Sequence, residues 1–426
     1  MSDRKQETKS TKETKETKSK KSTRQRSEAQ KVLLALLANR LFGAQKEIPE
    51  DTDYMAVAKE AQFQAVTAAA FNGTPLPQTV KEKINDAVLS YIVSGASVFS
   101  AHSEVDGLLR KNGVPYVILK GAASAYYYPD PLNRAMGDVD FLVKKDDIPR
   151  ATEILKNAGF TLWKESHICH IVFTKENEHL EMHFDPAGIP NGKQGEIIRG
   201  YLSDAIDRAN YVQTELCSFY NPSKFHHGLI MLLHMQHHLL SEGIGLRHLC
   251  DWAVFVNSMT NEEFTATFQE KLRRAGLYKF AQTVSLAAYI GMALPYRDFM
   301  GDDKNLAEEI LNDILSGGNF GAKDSGRACE GLFISNRGKD GVSKNRFTQF
   351  FASVNQIVYT HWPVSKKVKI LLPFGWLYFG GRYLVRTLTG KRKRKKFLKA
   401  YSASKERKEL YKKLHLFEEV EDERSA

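Results

Sequence analysis

The sequence predicts an α+β protein in which a small mixed α/β module of about five strands lies between two helical sections. Three observations lead to this fold class. Apolar residues recur at helical spacing before residue 112, short strand-like runs alternate with helices from 113 to 186, and helical spacing returns after Pro222. With 426 residues, the chain is long enough to bury a substantial core. We predict five segments: a disordered polar tail (1–28), an N-terminal helical section (29–112), the α/β module (113–186), a C-terminal helical section (187–390) and a basic then acidic tail (391–426).

The N-terminal section follows a stretch that is almost entirely Lys, Thr, Glu, Ser, Gln and Arg. Such a stretch offers no apolar side chains to offset the entropy of ordering, so it is typical of disorder. Helical spacing then predicts one helix from Ala29 to about Gly43 and a second from Thr52 to Phe71. The second ends at Asn72-Gly73, a helix stop signal. Residues Pro77–Asn112 predict one long helix or two.

The α/β module begins with Pro115–Leu119, a short apolar run suited to a buried strand. Lys120-Gly121 and a helix through Tyr128 follow. Gly137–Val143 alternates apolar and acidic residues, which predicts a strand, and a helix covers Ile148–Ala158. The three remaining predicted strands are Phe160–Trp163, Ile168–Thr174 and His179–Asp185.

After Pro222 the pattern predicts four helices: Ser223–Ser241, Leu246–Asn257, Asn261–Ala275 and Leu277–Ala293. A Gly-rich interval from Ser316 to Asn345 predicts a loop, with Leu332–Ser335 as a short extended piece.

The charge of the chain is unevenly distributed. The formal net charge is +11, but residues 1–28 carry +5, residues 391–413 carry +10 and residues 414–426 carry −4, which leaves 29–390 neutral. The basic excess therefore belongs to the tails, and we expect no sequence-specific nucleic-acid binding by the folded part. The four cysteines form no C-x-x-C pair, which argues against a disulfide framework and a zinc site and favours a reducing cytosol. The polar N-terminus has no apolar signal-peptide core, so we predict a cytoplasmic location.

The most apolar segment is Ile370–Leu388. Pro373, Gly380-Gly381 and two arginines interrupt it, which disfavours a membrane span. The KRKRKK run that follows leaves two interpretations open. Residues 370–399 are either a packed C-terminal helix with a solvated basic tail or a peripheral contact with anionic lipid on the inner face of a membrane.

The strand Gly137–Val143 carries the acidic pair that points to chemistry. Because side chains alternate on a strand, Asp138 and Asp140 share one face and Val139 and Phe141 the other. On the strand His179–Asp185, Glu181 falls on the face opposite Leu180 and Met182. Two carboxylates that lie close together repel each other unless a cation sits between them. We therefore predict that Asp138, Asp140 and Glu181 are metal ligands and catalytic residues that hold two Mg²⁺ ions, with Mn²⁺ as an alternative, for transfer at a nucleotide phosphate.

A phosphate-binding turn is predicted just upstream. Lys120 and Gly121 lie at a strand-to-helix junction, where free backbone N–H groups favour phosphate. Gly121 allows close approach, Lys120 supplies charge and Ser124 offers a hydroxyl. Arg134 either binds a phosphate with two of its donor groups or forms a salt bridge to an aspartate. For His183 three roles stay open: it contacts a phosphate, supports a metal ligand or makes a structural hydrogen bond.

Two pairs of residues at i, i+4 spacing receive ordinary interpretations. We predict that Arg247 and Asp251 pair with each other on one helix, and a contact with the nucleotide stays open as the alternative. His234 and His238 also share a helix face, but without an H-E-x-x-H motif we interpret them as histidines of an amphipathic helix rather than metal ligands.

The run VILKGAASAYYYPDPLNRAMGDVDFLVKKDDIPRATEILKNAGF resembles the uncharacterised nucleotidyltransferase family of bacteria, a branch of the DNA polymerase-β-like superfamily. The family's motifs correspond here to Leu119-Lys120-Gly121, Tyr128-Pro129-Asp130-Pro131, Arg134, Asp138-Val139-Asp140-Phe141-Leu142, Gly159-Phe160, Glu181-Met182-His183 and Gly243–Trp252. The resemblance implies the superfamily fold, Mg²⁺ and a nucleoside triphosphate (NTP) substrate. The superfamily's usual Gly-Ser or Gly-Gly turn is Gly121-Ala122 here.

The resemblance implies transfer of a nucleoside monophosphate from an NTP to a hydroxyl or phosphate of an unidentified acceptor, which is a small molecule, a saccharide or a protein, with release of pyrophosphate. Two rival interpretations stay open. One is a catalytically inactive nucleotide-binding protein that acts on a partner. The other is a nucleic-acid-binding protein that works through its basic tails.

Overall fold

The computed structural model describes residues 25–164, 169–176, 178–324, 327, 355, 358–359, 362–366, 368–388 and 407–418. Within these residues the fold is α+β, as predicted, with helical sections around one five-stranded mixed sheet and a separate hairpin. The predicted tail at 1–24, the extended piece Leu332–Ser335 and the basic run at 391–396 lie outside the described residues.

The N-terminal section contains four helices: α1 (Glu28–Phe42), α2 (Tyr54–Phe63), α3 (Thr67–Phe71) and α4 (Gln78–Lys111). The single helix predicted over Thr52–Phe71 is wrong, because the chain breaks between α2 and α3. Gln64 is fully buried at this break, where its side chain accepts a hydrogen bond from the Leu246 amide and donates one to the Leu315 carbonyl. Ala65 then takes a positive φ. These distant contacts override the local helical preference.

The sheet has the strand order β1-β2-β5-β4-β3. Its strands are β1 (Tyr116–Ile118), β2 (Val139–Val143), β3 (Thr161–Lys164), β4 (His170–Lys175) and β5 (Glu178–His183). β2 pairs in parallel with β5, and every other pairing in this sheet is antiparallel. Two helices connect these strands: α5 (Ala122–Ala125) and α6 (Ile148–Asn157).

Alternation along β2 and β5 gives the sheet two different faces. On one side, which we call the closed face, Val139, Phe141, Val143, Leu180 and Met182 are buried with apolar residues of α4 and α6. The opposite side, which we call the cleft face, carries Asp140, Glu181 and His183.

Three elements within the section at 187–390 were not predicted individually, and the hairpin among them departs from the helical prediction for that section. They are α7 (Lys193–Leu202), a hairpin of β6 (Asn210–Gln213) and β7 (Ser218–Asn221), and a helix at Lys304–Gly317. The hairpin packs against α4 and contributes Cys217 and Phe219 to the core behind the closed face.

The C-terminal section continues with α8 (Lys224–Leu240), α9 (Leu246–Asn257), α10 (Asn261–Phe264), α11 (Glu270–Ala275), α12 (Tyr278–Met292), α13 (Lys304–Gly317) and α14 (Leu372–Leu388). A π-helical turn, Thr265–Gln269, joins α10 to α11. Helices α8 and α9 belong to the core that also includes Val117, Leu119 and Leu142, so they cover the cleft face.

Helix α4 has the length and composition of a membrane span, with an 18-residue window of mean hydropathy 1.2. The helix also packs against α3, α6 and β7 and buries Val105 and Leu109. Only 28% of the apolar window is buried, and one helix of this length and composition is weak evidence for a membrane span.

Candidate active site

A cleft of about 1040 Å³ lies between the cleft face and helices α8 and α9. Every residue that the sequence singled out for nucleotide or metal binding lines this cleft: Lys120, Gly121, Ser124, Arg134, Asp138, Asp140, Glu181 and His183. The fold therefore brings together residues that are up to 63 positions apart in the chain.

The parallel pairing of β2 and β5 sets Asp140 directly opposite Glu181. One ligand atom from each of Asp140, Glu181 and His183 lies within 4.8 Å of the other two. Asp140 is only 1% exposed, although it lies on the polar face of β2. Helices α8 and α9 cover this face, and the sequence pattern of β2 alone does not show that.

Two cationic side chains hold the Asp140 carboxylate. Its Oδ1 lies 2.8 Å from Lys120 Nζ and 2.9 Å from His183 Nε2. Burial alone would raise the pKa of Asp140, but Lys120 and His183 outweigh it and lower that pKa. Burial alone would lower the pKa of His183, but its hydrogen bonds to Asp140, Cys169 and Glu181 raise it to about 10. Asp140 is therefore ionised and compensated.

Asp138 is different from Asp140. It lies one residue before β2 and is half-buried, and in the described part of the chain its carboxylate has no hydrogen bond or ion pair. The charge of Asp140, and then burial, raise the pKa of Asp138 to about 6. A half-buried carboxylate without a partner beside an ionised one is the environment that a divalent cation relieves, and these oxygen donors fit Mg²⁺.

A second donor group adjoins the first and was not predicted. His170 on β4 lies directly across the strand pair from His183, and Cys169 Sγ lies 3.6 Å from His170 Nδ1. Ligand atoms of Cys169, His170 and His183 also lie within 4.8 Å of one another. Imidazole and thiolate favour softer ions than Mg²⁺. The sequence argument against a zinc site considered only C-x-x-C spacing and so missed this cross-strand cluster.

The predicted phosphate turn is tighter than expected. Gly121 has φ +57° and ψ −117°, which an L side chain rarely adopts, and a Cβ there would lie 2.8 Å from His102 Nε2. The helix predicted through Tyr128 is only the four-residue α5, and its first amide donates to His102. The helix-dipole contribution is therefore small, and Lys120 is the main cationic group of this turn. Ser124 is buried, with Oγ 3.9 Å from the sulfur of Met231.

Arg134 forms a salt bridge, which was one of the two interpretations that the sequence left open. Its Nε and Nη2 donate to the two carboxylate oxygens of Asp251 at 2.9 and 2.8 Å. Tyr128 also donates to Asp251, at 2.8 Å. The predicted pairing of Arg247 with Asp251 was wrong, because Arg134 from a distant loop takes both oxygens.

Arg247 consequently lines the cleft without a direct ion pair to any carboxylate of the described residues, although Asp251 and Asp138 act on it electrostatically. Its Nη1 donates to the Ala135 carbonyl at 3.3 Å, and its guanidinium carbon lies 5.5 Å from the centre of the Phe320 ring. Its Nε is buried and has no hydrogen-bond partner. Burial lowers the pKa of Arg247.

Histidines line the same wall of the cleft. His234 Nε2 lies 3.5 Å from Lys120 Nζ, and the rings of His234 and His238 are 4.4 Å apart. Burial lowers the pKa of His234 far enough to keep it neutral. Among the residues that the structure describes, these histidines do not form a three-ligand metal group, so their interpretation as residues of an amphipathic helix remains the simpler one.

Comparisons with known proteins bear on the family. The family described as an uncharacterised nucleotidyltransferase matches residues 51–289, more than half of the chain, and this range contains every residue of the cleft discussed above except Phe320. No curated protein matches the chain. A solved structure described as a tRNA-processing enzyme (apo form I) is similar at 16% identity over 80% of this chain and 79% of that one, with a TM-score of 0.23, which is too low to carry an argument.

Proposed function

Because this chain belongs to the uncharacterised nucleotidyltransferase family, we propose that it is a Mg²⁺-dependent nucleotidyltransferase of the polymerase-β-like type. It transfers a nucleoside monophosphate from an NTP to a hydroxyl or phosphate of an acceptor and releases pyrophosphate. The acceptor is a small molecule, a saccharide or a protein.

The observation that supports this proposal is the convergence of Asp138, Asp140 and Glu181 on one cleft. Asp140 and Glu181 are paired across parallel strands, and Asp138 lies two residues before Asp140 with no hydrogen bond or ion pair among the described residues. Carboxylates in this arrangement are suited to Mg²⁺, which takes one or two carboxylates together with substrate phosphates.

The chain's own residues position the nucleotide. Asp138, Asp140 and Glu181 would hold the metal, which when bound neutralises phosphate charge and lowers the pKa of the acceptor hydroxyl. Helices α8 and α9 cover the cleft face and limit the access of water, which strengthens electrostatic interactions inside. His183 donates to Asp140 and fixes the orientation of that carboxylate.

The role of Lys120 depends on whether Asp140 holds a metal ion. Its ammonium group lies 2.8 Å from Asp140, where it compensates the buried charge. A cation held by Asp140 competes with Lys120 for the same oxygen. We propose that Lys120 then donates to a phosphate oxygen, which keeps the net charge of the cleft nearly balanced.

The test is turnover by the purified full-length protein with Mg²⁺ and each of ATP, CTP, GTP and UTP labelled at the α-phosphate. We expect release of pyrophosphate and labelling of an acceptor supplied by a cell extract. Asp140→Asn should abolish both, because it removes one charge from the metal site.

A matched control is Asp146→Asn, which removes an exposed aspartate from the same module outside the cleft. We expect it to retain full turnover. Equal turnover by Asp140→Asn and wild-type protein would contradict the proposed function, and so would NTP binding without turnover in every extract, the behaviour of an inactive nucleotide-binding protein.

We further propose a peripheral contact with anionic membranes through residues 370–399, in keeping with a cytoplasmic location. Ile370, Phe374, Leu377 and Tyr378 expose from 50 to 76% of their surface in and beside α14, and the basic KRKRKK run follows. Sedimentation with phosphatidylcholine vesicles, with and without phosphatidylserine, tests this contact. Binding that needs phosphatidylserine and is lost in Phe374→Ser/Leu377→Ser supports it, and equal recovery with both vesicles contradicts it.

A further inference from the structure

We propose that Arg247 binds the terminal phosphates of the nucleotide in the cleft. This inference rests on the proposed function and assigns to one side chain the recognition of a polyphosphate rather than of a base or sugar. Arg134 and Arg247 are neighbours in the structure, but they differ in whether a carboxylate contacts them.

The two arginines differ in their partners. Arg134 is neutralised by a bidentate pair with Asp251. Arg247 lies one helical turn before Asp251 and yet forms no ion pair with any carboxylate in the described part of the chain. Its Nε is buried without a hydrogen-bond partner. Asp251 and Asp138 attract the guanidinium without contacting it. A buried N–H donor without a hydrogen-bond partner is unfavourable, and a phosphate oxygen in the cleft would satisfy it.

Neighbouring groups hold Arg247 in place without neutralising it. The Ala135 carbonyl accepts one hydrogen bond, and the Phe320 ring lies beneath the guanidinium. Phe320 itself is held at φ +52° and remains 41% exposed, although a large apolar side chain at that backbone conformation is uncommon. Phe320 is therefore a positioning residue for Arg247.

The location favours the terminal phosphates. Arg247 and Asp138 line one cleft and influence each other's charge, so an anion between them would meet the guanidinium on one side and the proposed metal ligands on the other. A guanidinium presents paired N–H donors that match two phosphate oxygens. The nearby His234 and His248 are kept neutral by burial and do not compete for that anion.

The experiment is isothermal titration of the full-length protein with ATP and with sodium tripolyphosphate, both in excess Mg²⁺. Tripolyphosphate is the probe that has neither base nor sugar. We expect Arg247→Gln to weaken binding of both by about 10- to 100-fold, since a charged hydrogen-bond pair is lost. Arg247→Lys, which keeps the charge but loses the paired geometry, should fall between Arg247→Gln and wild type.

The matched control is Arg199→Gln, which removes an exposed arginine at the edge of the same cleft. We expect less than about a twofold change in affinity, because an exposed charge is screened. Thermal unfolding without ligand separates binding from folding. Arg247→Gln should unfold at nearly the same temperature as wild type, because Arg247 has no direct ion pair in the described part of the chain to lose.

The outcomes separate the two proposals. If wild-type protein binds ATP and tripolyphosphate and Arg247→Gln binds them equally well, the role of Arg247 is wrong and the proposed function stands. An equal loss of affinity in Arg199→Gln would also contradict a specific role for Arg247. If wild-type protein binds neither ligand, the proposed function itself is contradicted.

Discussion

The closed face and the cleft face of the central sheet are built from alternate residues of the same strands, but they are packed in different ways. On the closed face, Val139, Phe141 and Val143 are at most 1% exposed and belong to a cluster of buried apolar residues. On the cleft face, Asp140 is just as buried, but its neighbours are Lys120 and His183. Burial alone therefore does not distinguish a core position from a site position.

The two faces of the sheet therefore have different roles. The closed face removes apolar surface from water, which stabilises the fold. The cleft beside the cleft face contains the half-buried carboxylate of Asp138 and, on α9, the guanidinium of Arg247, and in the described part of the chain neither group forms a direct ion pair. Substitutions on the two faces should therefore have opposite effects on stability and activity.

The largest expected effect is that of Asp138→Asn on the cleft face. Turnover should fall by about 1000-fold or more, because one metal ligand loses its charge. In EDTA at pH 8 the variant should have the same Tm as wild type or a higher one, since the repulsion by Asp140 is the largest influence on the Asp138 carboxylate and exceeds the attraction of Lys120 and Arg247. Steady-state kinetics and calorimetry measure the two quantities. A large drop in Tm would show that Asp138 has a structural partner and would contradict the different roles of the two faces.

Phe141→Ala on the closed face should show the opposite behaviour. Removing a fully buried aromatic ring should lower the free energy of unfolding by about 3–5 kcal/mol, because the lost burial adds to the cavity left behind. Urea denaturation measures this change. The kcat/KM of the folded fraction should stay within a fewfold of wild type, and a loss as large as that of Asp138→Asn would contradict the separation of tasks.

Gly121→Ala tests the tight turn between β1 and α5. A Cβ would face His102 at 2.8 Å, and φ +57° with ψ −117° is strained for alanine, so we expect a loss of about 1–3 kcal/mol in the free energy of unfolding. Gly137→Ala is the matched control, since a Cβ there meets nothing within 4 Å. Equal stability of the two variants would show that the turn relaxes easily.

The smallest expected effect is that of Tyr128→Phe. It removes one donor from Asp251 but leaves the bidentate pair with Arg134, so we expect a loss of about 1 kcal/mol in the free energy of unfolding. A loss several times larger would mean that Tyr128, and not Arg134, holds Asp251 in place. The double variant Tyr128→Phe/Asp251→Asn gives the coupling between the two residues.

Much of the α/β module could be predicted from the sequence because its signals are local. Alternation along β2 and β5 placed Val139 and Leu180 on one face and Asp140 and Glu181 on the other, and the structure has the same arrangement. The catalytic and binding roles of these residues remain predictions until the variants above are measured.

What the sequence did not reveal depends on contacts between distant segments. Whether Arg247 or Arg134 pairs with Asp251 is decided by how a loop packs on α9, and helical i, i+4 spacing gave the wrong answer. The break at Gln64 depends on amide and carbonyl groups of Leu246 and Leu315. His170 was missed because its importance depends on the register of β4 against β5, which no local pattern fixes.

The parallel register of β2 and β5 determines whether the acidic residues of the cleft come together when the protein folds. Sliding β5 by one residue would put Leu180 or Met182 opposite Asp140 and turn Glu181 towards the apolar core, so no partly correct pairing yields half a site. A one-residue slip would therefore remove the whole arrangement of Asp140, Glu181 and His183 rather than weaken it by degrees.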